Sequence, residues 1–126
     1  MLPGGDILFT HHSISGTSIH GLKTEMLNEI VLDKAELSQK YKRVVAGHIH
    51  TPQSYDNVLI TGSVFTSEVG ETEKFIYTID TDDLSINPIK LPVRPIYKIE
   101  NPTEDQLNKI PDDAIVKVVL TDKEIN

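Results

Sequence analysis

The chain has 126 residues, a formal net charge of −7 and no cysteine. That length suits one ordinary domain with a core of its own, and the missing cysteines exclude disulfides, thiolate zinc sites and cysteine nucleophiles. The acidic balance argues against a surface that coats nucleic acid unaided, but not against a metal enzyme acting on phosphates, where cations bring the positive charge. No apolar stretch approaches the length of a membrane span, and Met1-Leu2-Pro3-Gly4-Gly5 lacks the basic and apolar regions of a signal peptide. A cytoplasmic protein without a membrane partner is expected.

In chain order, Ile7-Leu8-Phe9-Thr10 reads as a buried strand ending at His11. A Gly-, Ser- and Thr-rich loop follows over residues 11–21, the kind of segment that carries functional groups. Residues 22–32 are ambiguous between a helical face and a short strand over residues 29–32. Asp33 and Glu36 have the spacing of an N-cap and its N3 partner, which predicts a short helix to about Tyr41. Val44-Val45-Ala46 is a second buried strand, closed by Gly47. Residues 58–61 form a short strand ending at Gly62-Ser63, and Tyr55-Asp56-Asn57 is a turn in which the Asp56 side chain is expected to cap. Residues 75–79 and 85–89 flank Thr81-Asp82-Asp83 as a hairpin, Leu91 to Pro95 is an extended linker, Thr103 and Gln106 form a capping box for a helix through about Ile110, and residues 114–120 are a strand. A strand this close to each end of the chain suits either a natural terminus or a piece of a longer polypeptide.

The residues with the most chemistry are Gly47-His48-Ile49-His50, just past the second strand. Two histidines at i and i+2 after a strand aim two imidazoles at one volume. Imidazole is the commonest protein ligand for divalent transition metals, and paired imidazoles repel when both are protonated, so metal is the usual reason to place them together. His11 adds a third at another strand end, where open α/β sheets place their chemistry. His12 is the weaker neighbour, read as a partly exposed loop residue or one near substrate, and His20 has no partner at ligand spacing. Three imidazoles suffice for a mononuclear site with an open position. A two-metal site also needs a bridging carboxylate. Asp6 is at the wrong end of its strand, and Glu68, Glu71, Glu73, Asp82 and Asp83 read as solvated loop positions.

The order of Ile7-Leu8-Phe9-Thr10-His11, then Val45-Ala46-Gly47-His48-Ile49-His50-Thr51-Pro52-Gln53, then Ile60-Thr61-Gly62-Ser63 resembles the C-terminal part of a calcineurin-like metallophosphoesterase. Within that superfamily it is most similar to SbcD-like nuclease subunits of bacterial and phage double-strand-break repair, over roughly residues 6–100. The resemblance implies an α/β fold: the C-terminal half of a four-layer α/β/β/α sandwich over residues 1–91, then a linker and the start of a small α+β capping domain over 92–126. It implies a DNA exonuclease that hydrolyses phosphodiesters by a two-metal mechanism, with manganese as the cofactor and an SbcC-like ATPase as the partner; an incomplete sandwich would also expose sheet edges, which predicts a homodimer or strand exchange between copies. His11 and His48 would share the second metal, His50 would ligate the first, and Gly62 and Ser63 would lie beside the nucleic-acid backbone. The family's Asp-x-His, bridging Asp, Asn ligand and catalytic His have no counterpart in these 126 residues, so the chain alone is expected to have little or no nuclease activity. Another calcineurin-like phosphatase, or a non-catalytic binding module on the same fold, are the alternatives.

Overall fold

A computed structural model describes residues 4–19, 22–23 and 28–121. Its centre is a four-stranded sheet of β1 (Gly5–Thr10), β6 (Tyr41–Ala46), β8 (Val58–Ile60) and β7 (Gln53–Tyr55), neighbours in that order. The first three run parallel and β7 runs antiparallel to β8. Within β6, Tyr41 is buried on one face and Val44 and Ala46 on the other, while Lys42, near the start of the strand, is exposed. All three residues of the short β8 are buried, as a central parallel strand covered on both faces requires. Thr10 pairs with Ala46, and Ala46 with Ile60, so three parallel strands end together at one edge of the sheet.

Parallel neighbours need a long crossover. Between β1 and β6 the chain makes β2 (Ser13–Ile14), β3 (Ser18–Ile19), β4 (Leu22–Lys23), β5 (Val31–Leu32) and α1 (Lys34–Lys40). Strand β2 pairs with β5 in parallel, and β3 pairs with β4 in antiparallel fashion. The predicted cap of α1 forms: the Glu36 amide donates to Asp33 Oδ1 at 2.7 Å, and the Glu36 carboxylate pairs with Lys40 one turn on. Leu37 on the inner side of α1 joins Ile14, Tyr41, Val44, Ala46, Ile49, Val58 and Ile60 in the core, with Leu8 and Leu32 packed against it. Truncating a fully buried member such as Ile60 to Ala would cost about 2–5 kcal/mol.

The turn between β7 and β8 lies where the sequence places it, with Asp56 at φ 51°. Among the described residues its tether is Asn57, whose Nδ2 donates to the Tyr41 carbonyl at 2.7 Å, and not the Asp56 side chain. Beyond the central sheet, β9 (Phe75–Ile79) and β10 (Ile86–Lys90) form the expected hairpin. Strand β11 (Ile96–Glu100) pairs in parallel with β12 (Ile115–Val119) around α2 (Glu104–Asn108), which carries the predicted capping box of Thr103 and Gln106. Residues 91–95 have no regular structure, as the paired prolines require.

The expected layered architecture is absent. The described residues are mostly strand, arranged as one four-stranded and four two-stranded sheets, with only two short helices. This is not half of a four-layer α/β/β/α sandwich. Within residues 22–32 the described segments pair as short strands, so among the described residues α1 is the one helix in the crossover and no helical layer builds up. The outer face of β1 is also less buried than its sequence suggested, with Phe9 68% exposed.

Candidate metal centre

The parallel register brings the histidine-bearing loops together. Because Thr10 lies opposite Ala46, His11 and Gly47 are the next residues on adjacent strands, and the Gly47 amide donates to the Thr10 carbonyl at 3.1 Å. The rings of His11 and His48 meet edge to face, with centroids 5.3 Å apart and planes 75° apart. His12 turns aside: its Nδ1 shares a hydrogen bond of 2.9 Å with the Thr10 hydroxyl on the exposed side.

Glu29 joins this pair. Its Oε2 lies 3.1 Å from His48 Nε2, and its Oε1 accepts a short hydrogen bond from the buried Ser13 hydroxyl. The Ser13 bond is the largest influence on the Glu29 carboxyl; with the His48 imidazole it outweighs a smaller opposing push from burial and holds the carboxyl below the ordinary value. A carboxylate only accepts, so the shared proton belongs on His48 Nε2, which leaves the lone pair for a metal on Nδ1. Nothing in the spacing of Glu29 announced it. The β2–β5 ladder places it, since pairing Ser13 with Val31 carries the residue two before Val31 back toward the residues two before Ser13.

His50 faces a different carboxylate. Its Nδ1 lies 4.0 Å from Glu71 Oε1, and its side chain is half-exposed. Glu71, expected as a solvated loop residue, is instead buried. Its Oε2 accepts from the amides of Ser67 and Glu68, and the fully buried Lys74 ammonium stands 3.4 Å from Oε1. Burial alone would raise the Glu71 carboxyl; those two amides and the Lys74 charge together hold it below the ordinary value. Lys74 also donates to the His50 carbonyl at 2.7 Å and to Ser63 Oγ at 2.9 Å. The sequence signal for this pair is Glu71-x-x-Lys74 directly after a glycine turn, which does not by itself reveal burial.

Gly62 and Ser63 close the loop from behind. Gly62 has φ +73°, and a Cβ there would lie 2.7 Å from the His50 carbonyl oxygen, so only glycine fits. The Ser63 amide donates to that same carbonyl at 3.0 Å, and its hydroxyl donates to the Phe65 carbonyl at 2.9 Å. The polar groups of Ser63 are thus engaged within the loop.

The structure therefore joins His11, His48 and Glu29 on one side, and His50, Glu71 and Lys74 on the other. In kind, two imidazoles, one of them oriented by a carboxylate, suit a divalent transition metal. Among the described residues no three such side chains converge on one point, so a complete centre needs further donors or a closing of these groups. His20 lies outside the described residues. No family model, curated protein or solved structure matches the chain.

Proposed function

We propose that this chain supplies imidazole ligands to the divalent-metal centre of a phosphodiesterase, an SbcD-like exonuclease acting on DNA. The observation that carries this reading is the His11–His48 ring pair at adjacent parallel strand ends, with a carboxylate already seated on His48. Three features support it: the order of the histidine motifs, the Gly62-Ser63 turn packed beneath His50, and the position of all of them at the carboxyl ends of parallel strands.

On this reading His11 and His48 hold one ion and His50 another. Manganese ions there would activate water and neutralise charge developing on the phosphate. Glu29 fixes the ring of His48, and the Gly62–Ser63 turn fixes the height of His50 below the substrate backbone. The chain's acidic surface makes the ions, rather than basic side chains, the attraction for DNA. Such a centre would also need bridging acids, and on this reading an SbcC-like ATPase is the partner.

The test is a titration of the purified chain with Mn2+ by calorimetry, beside the His48→Ala variant, with a parallel assay on end-labelled linear duplex DNA. Saturable binding that His48→Ala abolishes, with negligible cleavage by the chain alone, is the expected result. Failure to bind Mn2+, or binding indifferent to His48, overturns the reading.

A further inference from the structure

Glu71 is an unusual residue for a surface loop. Its side chain is 4% exposed, and among the described residues its Oε1 has no hydrogen-bond donor. Burying a carboxylate is costly unless every oxygen is satisfied. Its Oε2 is satisfied twice by backbone amides. The Lys74 ammonium neutralises the charge, but it lies 3.4 Å from Oε1 and spends its short hydrogen bonds on the His50 carbonyl and Ser63 Oγ. Oε1 thus keeps an open acceptor position inside the loop, and among the described residues a nearby nitrogen that faces it without a hydrogen bond of its own is His50 Nδ1, at 4.0 Å.

We infer that Glu71 is the positioning residue for His50: its Oε1 accepts the Nδ1 proton, so that the Nε2 lone pair faces outward for a ligand. This deepens the proposed function and rests on its reading of His50 as a metal ligand. The remaining gap is about 1 Å beyond a hydrogen bond, and a small turn of the half-exposed ring closes it. Two independent restraints make such a turn productive. Lys74 holds the His50 backbone through its carbonyl, and the backbone of Ser67 and Glu68 holds the carboxylate, so the ring is the part left to move. The pattern matches Glu29 and His48, with the ring nitrogens exchanged: one carboxylate takes Nε2 and the other takes Nδ1. Carboxylates that hold the outer nitrogen of a metal-binding imidazole fix its tautomer and raise its basicity.

The experiment is 15N NMR of the histidine rings in the intact chain, without metal, at a pH where His50 is neutral. The tautomer is read directly and is independent of any activity. Free imidazole side chains favour the Nε2–H form, so a dominant Nδ1–H form at His50 is the expected and informative result. The same spectrum of Glu71→Leu/Lys74→Met, which removes both buried charges together, should return His50 to the Nε2–H form. A dominant Nε2–H form in the unmodified chain, or an Nδ1–H form that the double variant leaves unchanged, overturns the inference. If the double variant does not fold, the unmodified chain alone decides. A Mn2+ titration then separates the two levels. An Nδ1–H form with no metal binding leaves Glu71 as the positioning residue and refutes the metal reading, whereas metal binding with an Nε2–H form does the reverse.

Discussion

The Lys74 ammonium donates to the His50 backbone carbonyl at 2.7 Å, joining the residue before β9 to the histidine loop that follows β6. This one contact makes the loop's shape depend on a buried charge. Lys74→Ala leaves the Glu71 carboxylate buried and uncompensated, which should cost about 3–5 kcal/mol. Glu71→Leu/Lys74→Met should recover most of that loss, because a well-packed apolar pair often replaces a buried ion pair without penalty. Urea denaturation of the three chains measures both quantities, and equal destabilisation of the single and double variants would refute the coupling.

Two glycines of similar backbone conformation should respond differently to alanine. Gly70 has φ +97° and open space around it, so Gly70→Ala should cost about 1–2 kcal/mol of backbone strain alone. Gly62→Ala adds an overlap with the His50 carbonyl and Pro52, and should cost at least about 1 kcal/mol more. It should also weaken Mn2+ binding, which Gly70→Ala should leave unchanged. Thermal melts and a metal titration distinguish them.

Glu29→Gln should weaken Mn2+ binding about 10- to 100-fold, the usual effect of removing the carboxylate that orients a metal-binding imidazole. His12→Ala, whose ring is turned toward Thr10, should change it by less than about twofold. Calorimetry on both variants checks the contrast, and an equal effect of the two would argue that the His11–His48 pair is not the binding element.

The β9–β10 turn should loosen in acid. The Ser85 side chain and amide hold the Asp83 carboxyl below its ordinary value. A carboxyl depressed on folding stabilises above the unfolded value, near 3.9, and that support is lost as pH falls through the lower folded value. The Ser85 amide resonance should therefore be constant from neutrality to about pH 4 and shift only below it. A shift centred above pH 4 would contradict the assignment.

β1 lies at an edge of the central sheet and leaves Phe9 68% exposed, with Phe65 61% exposed and Val64 57% exposed at the neighbouring turn. Open edges with apolar neighbours invite pairing with another chain. Light scattering should show a concentration-dependent dimer, and Phe9→Lys should shift it toward monomer. A clean monomer at millimolar concentration would count against the expectation of a homodimer.

Local signals in the sequence were reliable wherever one residue type has one physical job. The Asp33 cap, the Thr103–Gln106 capping box, the Thr81 to Asp83 turn and the Pro-interrupted linker all appear where their chemistry demands them. The layered fold implied by family resemblance did not: Leu22–Lys23 fold back on Ser18–Ile19, and Val31–Leu32 take their partner from Ser13–Ile14, a pairing that local pattern does not reveal. The candidate site divides the same way. His11 and His48 were legible because both end apolar runs whose strands turn out to be paired. Glu29 and Glu71 were not, because an acid looks solvated until tertiary structure brings it a serine, a lysine or a backbone amide.

The pairing of Thr10 with Ala46 has a consequence for how the chain matures. Its two strands are far apart in sequence, and closing so long a loop is slow and entropically opposed. Until that ladder zips, His11 is separated from His48 and His50. If the chain binds Mn2+ as proposed, metal capture would report sheet assembly, and excess Mn2+ would bias the chain toward the zipped state.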